Sequence, residues 1–148
     1  MPTTTGTFVW YNKGKKNLFG DVDLETSLDL RFLLTTSTYT PSATTHEFVS
    51  DITNEVSGNG YARVAVTSEG WTEPVAGTWR LDFDNPTWTA SGGSIVAHYW
   101  VAHIYNASDA AAPLLAYGLL DVTPADVTTT DGNTLTANIN ASGFFEVT

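Results

Sequence analysis

The 148 residues fit one domain, and a chain of this length buries about two-thirds of its unfolded surface without staples; with no cysteine, disulfides and thiolate metal sites are excluded. A formal net charge of −10 repels nucleic acid and anionic membrane, so neither is expected as a partner. Charged residues make up only 15% of the chain, against about 25% in an average domain, which leaves the polar surface to Thr, Ser, Asn and Gly, residues that suit strands and turns.

No apolar run approaches the ~20 residues of a membrane helix. The start, Met1-Pro2-Thr3-Thr4-Thr5, lacks the charged and apolar regions of a signal peptide, so the expectation is a soluble protein not exported by that route. The basic residues are unevenly spread. Lys13, Lys15 and Lys16 stand together near the start, and only Arg31, Arg63 and Arg80 follow.

Residues 1–17 read as an N-terminal arm, and 18–148 as a single β domain. Within the arm, Phe8-Val9-Trp10-Tyr11 precedes a turn at Asn12-Lys13-Gly14. A period-2 stretch follows. Val22, Leu24, Leu28, Leu30, Phe32 and Leu34 are apolar on even positions, while Asp21, Asp23, Glu25, Asp29 and Arg31 are charged on odd ones. This pattern predicts strands with one face buried and one wet, with a bend at Glu25-Thr26-Ser27. Thr44 and Glu47 have the spacing of a capping box, and Phe48, Val49 and Ile52 give one apolar face. Together they predict a short helix over 45–55, ended by Ser57-Gly58-Asn59-Gly60.

Short strands are expected from there on. Tyr61–Val66 is one and Gly77–Asp84 another, broken at Asn85-Pro86 before Trp88. Ile95–Tyr105 reads as one central strand and Pro113–Leu120 as the next. Asp131-Gly132 is a hairpin signal joining Thr128-Thr129-Thr130 to Leu135, Ala137 and Ile139, and Gly143–Val147 closes the domain. The expectation is an all-β fold, an antiparallel sandwich or barrel with one short helix near 45–55.

Catalytic constellations are hard to find. His98 and His103 are five apart on one predicted strand, so they fall on opposite faces. His46 opens the predicted helix, and no convergent partners for zinc or a triad are evident. Asp82 and Asp84 share a face, as do Asp21, Asp23 and Glu25, but the wet face of a strand accounts for both sets better than paired catalytic carboxylates. Ser91-Gly92-Gly93-Ser94 is no nucleophile elbow, and Ser57-Gly58-Asn59-Gly60 no phosphate loop. The expectation is no enzyme activity, no cofactor and no metal. The five tryptophans, Trp10, Trp71, Trp79, Trp88 and Trp100, stand out. Trp79 and Trp100 sit inside alternating strands, which favours core or oligomer interface over a sugar-stacking platform.

Several segments are familiar in their order. His46-Glu47-Phe48-Val49-Ser50-Asp51 leads into Ser57-Gly58-Asn59-Gly60-Tyr61-Ala62-Arg63; Trp88-Thr89-Ala90 follows, and then Pro113-Leu114-Leu115-Ala116-Tyr117. This series resembles a family of small virion structural proteins of tailed bacteriophages, which carry H-x-F-x-S-D, S-G-x-G-Y-x-R, W-T-A and P-L-I-A-Y in that order. The resemblance covers roughly residues 18–148, and its motifs are structural rather than catalytic. It does not extend to Trp10–Lys16.

The resemblance implies a particle component, with a capsid decoration or cement protein on the virion's outer capsid surface as the preferred role. The major capsid protein would be its partner, and self-association as a homotrimer would add avidity. On that expectation Phe8, Trp10 and Tyr11 serve as partner-binding anchors, with Lys13, Lys15 and Lys16 as charge contacts. A tail, neck or fibre component and a carbohydrate-binding module are the competing expectations.

Overall fold

The computed structural model describes residues 8–20, 29–139 and 143–147. In chain order these form β1 (Val9–Trp10), a helix α1 (Asn12–Gly20), β2 (Leu30–Thr35), β3 (Val64–Ala65), β4 (Gly70–Val75), β5 (Thr78–Asp82) and β6 (Thr87–Thr89). Then come β7 (Ile95–Ala97), β8 (Tyr99–Ile104), β9 (Leu114–Leu119), β10 (Val127–Thr129), β11 (Thr134–Thr136) and β12 (Phe145–Val147). The expected all-β class holds, and every strand pair is antiparallel.

The centre is a five-stranded sheet in the order β1-β9-β8-β2-β3. Three small sheets, β10-β7, β11-β6 and β12-β5-β4, are built around it. Alternation along β2 and β8 splits the interior in two. Leu30, Phe32, Leu34, Trp100 and Ala102 pack with Leu81, Trp88, Ile95, Leu135 and Phe144 in a first core. Leu33 and Val101 point the other way, and with Leu114 they pack on Tyr11, Tyr39, Val49 and Ala112 in a second core. The architecture is sandwich-like, with the central sheet covered on both faces.

That second covering corrects the expectation that odd positions of this strand are wet. Arg31 is only half-buried, but Leu33 and Thr35 are fully buried. The residues that cover them are Tyr39, from the Thr- and Ser-rich stretch after β2, and Val49, from the segment expected to be helical. The upstream half of the predicted alternation, with Asp21, Val22, Asp23, Leu24, Glu25 and Leu28, lies outside the described residues.

The helix expected over 45–55 is not formed. Only a 3₁₀ turn at Val49–Asp51 is present. Asp51 Oδ2 accepts the N–H groups of Glu47 and Phe48, at 2.8 and 2.9 Å. The Val49 N–H goes to the Ala112 carbonyl, and the Leu114 N–H to the Glu47 carbonyl. Pairing with the 112–114 segment therefore replaces helical bonding.

The helix that does form, α1, begins where a turn was expected. Gly14 reads as a breaker, yet the fold needs glycine there. A β-carbon at Gly14 would stand 2.6 Å from the carbonyl oxygens of Leu114 and Leu115, so the helix packs backbone to backbone on β9. Residues 8–16 are accordingly part of the β domain and not an appended arm: β1 pairs with β9 through Val9↔Tyr117 and Trp10↔Ala116.

Two further connections differ from expectation. Ile95–Tyr105 is not one strand. At His98 the N–H donates to the Thr35 carbonyl and the carbonyl accepts from the Leu120 N–H, while residues 95–97 pair with β10 in another sheet. The Asp131-Gly132 turn forms, with the Asn133 N–H on the Thr130 carbonyl. Its two flanking strands do not pair with each other; β10 joins β7 and β11 joins β6. The β4–β5 hairpin was not foreseen, because Gly70 and Pro74 obscure the alternation of β4.

Candidate interaction surface

The residues expected to anchor a partner divide into two groups. Phe8 stacks on Phe144 with centroids 5.4 Å apart, and Trp10 packs against Phe144 and Phe145. Tyr11 is 0% exposed. Its hydroxyl meets the Tyr39 hydroxyl at 2.9 Å, and the Tyr39 hydroxyl meets His46 Nδ1 at 2.8 Å. Burial pushes the Tyr11 phenol well above its ordinary value and the Tyr39 phenol up to about 12. Tyr11 is thus committed to the interior, while Phe8 and Trp10 are half-buried against the first core. Of the lysines, Lys13 is paired with Glu47, while Lys15 and Lys16 are exposed and in no ion pair among the described residues.

A second polar cluster was not legible in the sequence, because its members are up to 54 positions apart. Arg63 forks onto the Glu55 carboxylate with contacts of 2.8 and 2.7 Å. It also grips Asp109 at 2.6 and 3.0 Å. Tyr61 donates to Glu55 at 2.8 Å and accepts the Leu34 N–H at 3.0 Å. The Arg63 hydrogen bonds hold the Asp109 carboxyl below its usual range. His103 is beside this cluster and fully buried, and burial pushes its pKa down, keeping it neutral. Its Nδ1–H points to the Ile104 carbonyl at 3.2 Å, while Nε2 has no partner among the described residues. Every charge of the fork is answered, so the cluster clamps residues 55–63 to 103–109.

The remaining histidine, His98, bonds through Nδ1 to Asp126 Oδ1 at 2.8 Å, and Ser37 donates to Asp126 Oδ2 at 3.2 Å. The serine oxygen is therefore on the carboxylate and not on the imidazole. This order does not activate a nucleophile. Asp84 accepts Ser68 at 2.6 Å and Asp82 accepts the Phe83 N–H, so both are used in local turns. Among the described residues no group of three or more His, Asp or Glu is placed to hold a metal ion, and no helix is long and apolar enough to cross a membrane.

The tryptophans divide by position. Trp88 and Trp100 are buried, and Trp10 and Trp71 are half-buried. Trp79 is 49% exposed, so of the two expectations for it, core or oligomer interface, the core is not where it lies. The reason is geometric. Leu81 and Trp79 are two apart on β5 and share a face. At Leu81 that face is capped by the first core, with Trp71 and Phe145 as cross-strand partners. At Trp79 the sheet has run past the core. The β4–β5 hairpin therefore overhangs, carrying Trp79, Pro74 and Val75 exposed near its tip. Glu73 Oε1 closes the turn by accepting the Gly77 N–H at 2.8 Å, and Gly77 takes the positive φ of 85° that the turn requires. The outer edge of β4 pairs with no strand among the described residues. This overhang is the surface most suited to a partner. No family model, curated protein or solved structure matches the chain.

Proposed function

We propose that this chain is a structural component of a tailed-phage virion, a decoration protein bound to the outer surface of the capsid that works by binding and not by catalysis. The observation that carries the binding half of this reading is the overhanging hairpin. An antiparallel scaffold holds a half-exposed tryptophan beside a strand edge that is unpaired among the described residues. A large aromatic on a stiff support is the usual anchor of a protein interface, since little entropy is lost when it is covered.

The virion half rests on the resemblance, and the places of its motifs support it. Asp51 of the first motif caps the 47–49 segment. In the second, Gly58 and Gly60 take positive φ, and Arg63 forms the fork. Trp88 of the third is buried, and the fourth runs into β9, a strand paired on both sides in the central sheet. Motifs that shape a scaffold mark a fold family. A glycan platform is less well supported, because only Trp79 of the five indoles is substantially exposed.

Co-sedimentation of the purified protein with shells of the major capsid protein tests this. Saturable binding at hundreds of copies per shell is expected. Absence of binding, with the protein found instead at a few copies per virion by quantitative mass analysis, would move the assignment to the tail, neck or fibre.

A further inference from the structure

We propose that the β4–β5 hairpin docks head to tail on helix α1 of a second copy of this chain, closing a ring. This deepens the decoration reading and rests on it for its setting, though the contact itself is argued from charge and exposure.

The chain has six Lys and Arg residues. Four are in ion pairs: Lys13 with Glu47, Arg31 with Asp29, Arg63 with Glu55 and Asp109, and Arg80 with Glu146. Lys15 and Lys16, both on the exposed side of α1, are the two with no ion pair among the described residues. The overhang has the opposite character. Glu69 and Glu73 flank its apolar surface, both exposed, and neither is in an ion pair among the described residues. Trp79, Val75 and Pro74 supply apolar area, and the two acids supply negative charge.

A chain with net charge −10 repels its own copies unless a basic patch on one meets an acidic patch on the next. Two overhangs face to face would set Glu69 and Glu73 against themselves, and Pro74 on the edge strand opposes edge-to-edge pairing. The contact is therefore heterologous, hairpin on helix, and such a contact closes a ring when its rotation allows. It does not form within one chain. Helix α1 follows directly on Tyr11 of the second core, and the hairpin springs from Leu81 of the first, on opposite faces of the central sheet.

Sedimentation velocity on the full chain tests the proposal. The wild type is expected to associate, and more weakly as salt rises. Trp79→Ser, the pair Lys15→Glu with Lys16→Glu, and the pair Glu69→Lys with Glu73→Gln are each expected to raise the dissociation constant at least tenfold. Glu73→Gln keeps the oxygen that closes the turn. Far-ultraviolet circular dichroism checks that each variant is folded. The chain carrying all four charge changes is expected to associate again. A monomeric wild type, or charge variants that associate unchanged, or no recovery in the four-fold variant, would overturn the contact. Shell binding is read separately. A monomer that still binds shells removes this contact and leaves the decoration reading. Rings that ignore shells do the opposite.

Discussion

Trp100 and Gly118 face each other across β8 and β9, and the indole occupies the space that a side chain on Gly118 would need. A β-carbon built there would stand 2.6 Å from Cζ2 of Trp100. The indole in turn contacts the rings of Phe8 and Phe32, at 5.7 and 5.5 Å. Gly118→Ala is expected to force Trp100 out of place and to cost about 1–3 kcal/mol, as overpacking of a tight core does. Urea unfolding followed by tryptophan fluorescence measures it. An unchanged midpoint would show that the indole relaxes freely.

Arg63 clamps two distant loops, so its loss leaves Glu55 and Asp109 without their cation. Arg63→Met is expected to lower stability by about 1–3 kcal/mol, and Glu55→Gln by less, since an amide oxygen still accepts from Tyr61 and Arg63. Native-state hydrogen exchange should report the damage as faster exchange at Val56, whose N–H donates to the Leu34 carbonyl, and at Leu34, whose N–H donates to the Tyr61 hydroxyl.

Stability should fall at both ends of the pH range. Backbone N–H groups of Phe48 and Glu47 hold the Asp51 carboxyl below its ordinary 3.8, and Arg63 does the same for Asp109. Their contribution is complete above the unfolded value and drains away as pH falls through the lower folded values. His103 is held below 6.5 by burial, so from that pH downward the unfolded chain takes up a proton that the folded chain refuses. On the alkaline side burial raises Tyr11, Tyr39 and Tyr61 above 10.0. Their contribution is complete below 10.0 and is lost as pH rises further. Unfolding midpoints across pH, with tyrosinate absorbance on the alkaline limb, check both signs. Stability that keeps rising above 10 would contradict the buried tyrosine cluster.

Trp79 and Trp88 should behave oppositely. Trp79→Ser is expected to change stability by no more than about 0.5 kcal/mol, as an exposed substitution does. Trp88→Ser empties a filled site in the first core and leaves the Ala62 carbonyl without the indole N–H, at a cost of about 3–5 kcal/mol. Thermal unfolding of the two variants separates them.

These contrasts also show what a sequence can and cannot convey. The even positions of β2 were readable because alternation is local, and Leu30, Phe32 and Leu34 are buried as the pattern requires. Leu33 and Thr35 were not readable, because the 36–52 stretch that covers them arrives from elsewhere in the chain. Thr44 and Glu47 carry a helix-start signal that the structure overrides, since Asp51 and the 112–114 segment capture the same backbone groups. Gly14 looked like a breaker for a reason that exists only in three dimensions, the carbonyls of Leu114 and Leu115. The partner-binding set divides in the same way: its three aromatics pack on the two cores, while Lys15 and Lys16 are exposed. Phe8, Trp10 and Tyr11 are aromatic because a core needs them, while the exposed Trp79 was masked by an alternation that continues past the end of that core.

The most direct measurement is the melting temperature of capsid shells with and without this protein, compared with shells given Trp79→Ser. The account predicts that the wild type raises the shell transition by several degrees and that the variant, equally folded but without the copy-to-copy contact that gives the ring its avidity, raises it far less. Shells that melt at one temperature in all three cases would contradict it.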